Sequence, residues 1–280
     1  MTHRKYRLLV SDIDGTLLSN DNKLAEETIK SIQEFRQAGG RFTLATGRNF
    51  PHTIELIRKL QLDTPVILSD GAVLYDPVSE EKRVISSYTW QQFDSVIRQC
   101  REISDQIDFF TFSYDQRAKE YLVYGVTDNS MIRQYASDWY YQYERVPSFE
   151  AVFDRVYMIS IFAYIRDSKV IPVFHEWCKE QEENFQIHLW LKQVAQIFPN
   201  TTTKGAAIST LCEQLTITTD EVVAIGDQLN DLSMAEIAGF FAAMENGDPR
   251  VKESAHLVVP KNDDLGVAHF IRNYLLKNHS

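Results

Sequence analysis

The chain has 280 residues, 44% hydrophobic and 24% charged, an ordinary globular composition that excludes disorder, collagen-like repeats and a coiled coil. A formal net charge of −10 repels polyanions, which argues against a nucleic-acid or anionic-membrane surface, so an anionic substrate has to be captured locally. Cys100, Cys178 and Cys212 are odd in number and far apart, so neither a disulfide framework nor a zinc site is expected, and a reducing cytoplasm fits best.

Tyr6 to Val10 reads as a buried strand. Its apolar stretch is cut off by Asp12, too soon for a signal peptide, and no later run approaches transmembrane length. Ala25, Ile29 and Ile32 recur at helical spacing until Gly39-Gly40, and Arg41 to Ala45 gives a second strand. A helix (Ile54, Ile57, Leu60), a third strand (Val66 to Leu68) and the turn Ser69-Asp70-Gly71 follow. Strands that alternate with helices predict a parallel α/β sheet. From about Arg83 to Ile187 the rhythm changes to a helix, a hairpin around Asp115-Gln116, a second helix, a long strand (Val156 to Ile165), a third helix and a further strand, the pattern of an inserted α+β domain. Trp139, Tyr140, Tyr141 and Tyr143 read as part of one helix there. The βα rhythm returns with Ile208, Leu211, Cys212 and Leu215 on one helical face and a strand from Glu221 to Ile225.

The first strand ends in Asp12-Ile13-Asp14-Gly15-Thr16. In extended chain, residues i and i+2 share a face, so the two carboxylates are expected to converge at the carboxyl end of the strand, where open α/β sheets bind ligands. Such a pair is costly unless a cation neutralises it or one member keeps a proton. The plainer alternative is a strand-end turn. Further along stand Thr46-Gly47-Arg48 after the second strand, Lys204 at a helix start, and Gly226-Asp227-Gln228-Leu229-Asn230-Asp231 after a later strand. Taken alone, Lys204 could be a solvated helix-terminus lysine, although a helix N-terminus is an electrostatically poor place for one. The seven histidines form no close ligand pair, and none is assigned to a metal.

This set, in this order, resembles the haloacid dehalogenase superfamily of phosphatases, and within it the Cof-type members with a large α/β cap. The closing segments Met244-Glu245-Asn246-Gly247 and Asp264-Leu265-Gly266-Val267-Ala268 are similar too. The resemblance implies a Rossmann-like parallel-sheet core (residues 1–83 and 188–280) with an inserted α+β cap (84–187). It implies hydrolysis of a small phosphate ester, such as a sugar phosphate, nucleotide or phosphorylated cofactor, with Asp12 as nucleophile and Asp14 as general acid and base. Ile13 (through its backbone), Thr46, Gly47, Lys204 and Asn230 would hold phosphate. Asp12, the carbonyl of Asp14, and Asp227 would hold Mg²⁺. Asp231 would orient Lys204, the phosphate or a metal-bound water, Arg48 either touches substrate or braces its loop, and Asn230 has the alternative of capping the next helix. Two departures stand out. Ser69-Asp70-Gly71-Ala72 replaces the usual Ser-Asn-Gly-Ala and adds a negative charge, and Asn200 with Thr201 to Thr203 replaces a Pro-x-Gly segment before the lysine.

In the cap, Phe185, Ile187, Leu189 and Leu191 alternate with Gln186, His188, Trp190 and Lys192. The first set is expected to pack on helices. The second is expected to roof the active site, with His188 and Trp190 selecting the leaving group, against the alternative of a solvent-facing sheet. Rival functions are a phosphotransferase or mutase using the same phospho-aspartate, a phospho-acceptor signalling domain, and a phosphate-binding protein without turnover. Oligomeric state is not legible in the sequence.

Overall fold

The computed structural model describes residues 6–118, 121–127, 130–138 and 142–277. β1 (Leu8–Ser11) is buried throughout, as a central parallel strand covered on both faces must be. α1 (Glu26–Gln37) buries Ile29, Ile32 and Phe35, carries Glu26 and Glu27 in its first turn and Arg36 in its last, and gives way to Gly39 at φ +91°. The charges suit the helix dipole and the glycine supplies the left-handed exit. β2 (Arg41–Leu44), α2 (Ile54–Lys59), β3 (Val66–Leu68) and β4 (Val73–Asp76) follow, then β5 (Glu81–Val84).

The chain then runs through α3 (Trp90–Ile103), β6 (Ile107–Asp115), β7 (Tyr121–Gly125), α4 (Ser130–Asp138), β8 (Gln142–Arg145), α5 (Glu150–Phe153), β9 (Val156–Ile165), α6 (Ile171–Glu180), β10 (Phe185–Leu191) and β11 (Val194–Pro199). It closes with α7 (Lys204–Leu215), β12 (Val222–Gly226), α8 (Leu232–Ile237), β13 (Phe240–Met244), α9 (Pro249–Glu253), β14 (Leu257–Val259) and α10 (Gly266–Phe270).

Two compact units result: Met1–Glu81 with Thr203–Ser280, and Lys82–Thr202. In the first, five strands in the order β14-β13-β12-β1-β2 are all parallel. An isolated parallel bridge between Ala45 and Ile67 joins β2 to β3. β1 lies between strands reached by connections that run in opposite directions, so its carboxyl end is the switch point of the sheet.

The second unit is built on a six-stranded sheet, β10-β11-β9-β6-β7-β8. Phe93, Val96 and Cys100 of α3 and Phe174 and Cys178 of α6 pack with Phe109, Met158, Ile161 and Ala163 on one face. On the other face Ile132 and Ala136 of α4 meet Phe110, Val123 and Phe162. The expected hairpin and long strand are β6–β7 and β9.

The second crossing lies at Thr202/Thr203 rather than at 187/188, because β10 pairs with β11 and β11 with β9, which places both in the inserted unit's sheet. The first crossing, at Glu81/Lys82, is two residues from the expected one. Tyr143 belongs to β8, not to a helix; Trp139, Tyr140 and Tyr141 lie outside the described residues. On β10, Phe185 is buried and Ile187 packs against the helix-covered core, but Leu189 and Leu191 are 49% and 68% exposed, so the packed face ends halfway along the strand.

Candidate active site

All the candidate residues except His188 and Trp190 lie in the parallel-sheet unit. Asp12 follows β1 directly. Its N–H donates to the Ile225 carbonyl at 3.0 Å, extending the β1–β12 pairing, and Ser11 Oγ donates to the Asp12 carbonyl at 2.7 Å. Its side chain is thereby held at the switch point, buried and 6% exposed.

Lys204, 1% exposed, is the first residue of α7, which Thr203 caps by accepting the Ala206 N–H at 3.0 Å. The Thr201–Thr203 segment thus forms a working entry to the helix, and Thr202 N–H donates to the Pro199 carbonyl at 2.9 Å. Lys204 Nζ donates to Asp12 Oδ1 and to Asp231 Oδ1, each at 2.6 Å. Asp231 in turn accepts the N–H groups of Asp227 (2.8 Å) and Gln228 (3.0 Å) through Oδ2. Asp227 accepts Thr16 Oγ1 at 2.6 Å and Gln228 Nε2 at 3.0 Å. Thr16 and Gln228 stand inside the two acid motifs, but nothing in the sequence assigns them this role. Thr16 stands two residues after Asp14, where a hydroxyl facing the site is the available signal.

Asp12, Asp227 and Asp231 each offer one oxygen, all within 4.8 Å of one another. Three carboxylates against one ammonium leave a formal charge of −2 in a buried site, which is the charge and the hard-oxygen donor chemistry that a divalent cation such as Mg²⁺ satisfies. Burial, above all, pushes the Asp12 carboxyl well above the usual carboxylate range; Lys204 pulls it down, but Asp231 and Asp227 add to the rise. Asp227 is also raised, first by burial, against the Thr16 hydrogen bond. Burial works against a charged Lys204, yet Asp12, Asp231 and Asp70 together raise its pKa and keep it protonated.

Asp14 does not join this cluster. The chain leaves the extended conformation between the two acids, at Ile13, whose backbone is helical, while Asp14 is extended (φ −82°, ψ 119°) and Gly15 turns at φ +79°; a Cβ on Gly15 would stand 2.4 Å from Asp227 Oδ2. Only glycine lets the two loops close to this distance. Both Asp14 carboxylate oxygens accept from Arg48, one from Nε at 2.8 Å and the other from Nη2. Arg48 therefore braces Asp14, and its Nη1 also reaches the His52 carbonyl at 3.4 Å.

Thr46 is buried, and its Oγ1 accepts the Arg48 N–H at 3.0 Å. Asn230 caps no helix with its side chain; its Nδ2 donates to Asp70 Oδ1 at 2.8 Å. Ile13 is fully buried and its carbonyl accepts the Leu18 N–H. In the inserted unit, Trp190 Nε1 donates to Gln196 Oε1 at 2.8 Å, Gln196 Nε2 donates to Ser160 at 3.0 Å, and the His188 ring lies 5.6 Å from that of Phe198.

The family model described as haloacid dehalogenase-like hydrolase matches residues 9–271. The chain is 28% identical over 295 residues to the 5-amino-6-(5-phospho-D-ribitylamino)uracil phosphatase YwtE of Bacillus subtilis, covering 96% of this chain and 98% of that one. It is also 28% identical over 281 residues to the pyridoxal phosphate phosphatase YbhA of Escherichia coli, covering 96% and 99%. TM0651 from Thermotoga maritima, at 23% identity and a TM-score of 0.75 over 96% of this chain and 97% of that one, shares the fold.

Proposed function

The chain belongs to the haloacid dehalogenase-like hydrolases, and from that premise we propose that it is a Mg²⁺-dependent phosphatase acting on a small phosphate monoester through an aspartyl-phosphate. The observation that carries this reading is Lys204 Nζ, 2.6 Å from both Asp12 and Asp231, beside the carboxylate of Asp227. A buried lysine so placed neutralises part of the acid cluster and presents positive charge to an incoming phosphoryl group.

Asp12 attacks phosphorus and the ester oxygen leaves with a proton from Asp14; a water that gives its proton back to Asp14 then cleaves the acyl phosphate. Arg48, which holds both oxygens of Asp14, orients it for these transfers. Thr46, the backbone N–H groups of Ile13 and Gly47, and Asn230 position the phosphoryl oxygens with Lys204. Asp231 sets the lysine and, through the Asp227 N–H, the loop that carries Asp227. Asp12, Asp227 and the Asp14 carbonyl would hold Mg²⁺, which when bound offsets charge developing on the transferred group.

Phosphorylated cofactors, sugar phosphates and nucleotides are the substrate classes this reading implies, and the two relatives are named for small phosphate esters. We assign His188 and Trp190 to leaving-group selection. Alanine at either should alter the ranking of esters more than turnover of para-nitrophenyl phosphate, and equal losses on all substrates would remove the assignment. No described helix is long and apolar enough to cross a membrane. The three buried, unpaired cysteines suit a reducing compartment, and we place the protein in the cytoplasm.

The primary test is hydrolysis of para-nitrophenyl phosphate with Mg²⁺. Chelation and Asp12→Asn should each abolish it, and undiminished cleavage by Asp12→Asn would reject Asp12 as nucleophile. Transfer of the phosphoryl group to an added alcohol in preference to water would favour the phosphotransferase alternative.

A further inference from the structure

Asp70 occupies a turn that few residues tolerate. Ser69, Asp70 and Gly71 have φ of +51°, +54° and +106°, a left-handed run in which Asp and Asn are among the acceptable non-glycine residues. The turn is pinned to the loop after β2, since Ser69 N–H donates to the Arg48 carbonyl at 2.9 Å and Asp70 N–H to the Thr46 carbonyl at 3.0 Å. The Asp70 side chain is 3% exposed. Its Oδ1 accepts Asn230 Nδ2 at 2.8 Å, and its Oδ2 lies 3.0 Å from where a Cβ on Gly47 would stand.

The carboxylate is therefore wedged between Gly47 and Asn230, two of the groups assigned above to the phosphoryl oxygens. It also brings the buried carboxylates around Lys204 to four, Asp12, Asp70, Asp227 and Asp231. No catalytic step in the proposed mechanism uses it. An anion bound at this place meets a fixed like charge, and its hold on Asn230 has to compete with Asp70.

We propose that Asp70 sets the affinity of the site for the phosphoryl group and holds it low, so that inorganic phosphate leaves readily and accumulating product inhibits little. This rests on the phosphatase reading and adds to it a residue that governs binding strength rather than chemistry. A single like charge at close range in a partly buried site amounts to about a tenfold change in binding or more.

The test compares the wild type with Asp70→Asn and Asp70→Gly, both compatible with the left-handed backbone, measuring KM for para-nitrophenyl phosphate and Ki for inorganic phosphate at saturating Mg²⁺. Both constants should fall about tenfold in each variant, a gain in binding that structural damage does not produce. A Ki unchanged or raised in either folded variant overturns the inference and leaves the phosphatase reading intact. A fall in Asp70→Gly without one in Asp70→Asn assigns the effect to the Asn230 hydrogen bond and also overturns it. A wild type without Mg²⁺-dependent hydrolysis removes both.

Discussion

Replacing Lys204 with Met keeps the length and apolar stem of the side chain and deletes its charge, leaving Asp12 and Asp231 buried without their shared donor. At an effective dielectric of about 20, each 2.6 Å contact amounts to roughly 6 kcal/mol of Coulomb attraction before burial costs are subtracted. The net cost of removing one partner from such a pair is about 3–5 kcal/mol, which in a unit of this size lowers Tm by roughly 6–20 °C. The assay is calorimetry of both proteins without metal between pH 4 and 8. Burial raises the Asp12 carboxyl above its unfolded value, so between those two values the folded state binds more protons than the unfolded chain, and acidification favours folding. Lys204 pulls the Asp12 carboxyl down, so its removal raises that carboxyl further, the variant gains more from acidification than the wild type, and the penalty for Lys204→Met should shrink as the pH falls toward about 4. A variant within about 1 kcal/mol of the wild type at neutral pH, or one whose deficit grows on acidification, would refute the account of the acid cluster.

Three further outcomes are expected. Thr16→Val removes the 2.6 Å donor to Asp227 Oδ1, at a cost of about 1–3 kcal/mol to a buried acceptor; Mg²⁺-dependent thermal stabilisation should need at least fivefold more Mg²⁺, and an unchanged titration would show that Asp227 needs no such tether. Gly71→Ala would put a Cβ at φ +106° only 2.1 Å from the Thr203 carbonyl oxygen and should cost about 2 kcal/mol or more, read as a fall in Tm; wild-type stability would refute the close contact. The thiols of Cys178 and Cys212 are pushed up by burial to about 12 and about 11, and burial raises Cys100 as well. Ellman's reagent should leave all three unmodified in the native protein at pH 8 and titrate three after denaturation.

The β1 end was legible because its acids sit where a buried strand stops, and Lys204 through its place in the ordered set of motifs, since a lysine at a helix start could by itself be solvated. The expected convergence of Asp12 and Asp14 fails, since the alternation rule holds only for extended chain and the backbone is helical at Ile13, between the two acids, leaving Asp14 to Arg48. The crossing at Thr202/Thr203 was hidden because periodicity marks β10 but not β11, and does not show which sheet adopts a strand; that depends on the distant β9. Asp70 was visible as an added charge, but its partner Asn230 lies 160 residues away. Fold class and acid–lysine chemistry are thus written locally, whereas the supporting contacts depend on long-range pairing.

The second crossing also has a mechanical consequence. Between the end of the inserted unit at Thr202 and the ammonium-bearing Lys204 lies one residue, Thr203. Its hydroxyl anchors the first turn of α7, and its carbonyl is packed against Gly71. Thr203 is in effect a strain relief: tension arriving along the backbone meets these two restraints before it reaches the lysine. Insertions or deletions that retune the cap should be tolerated up to Thr202, and a single-residue change of length beyond it should disturb the charge balance of the site.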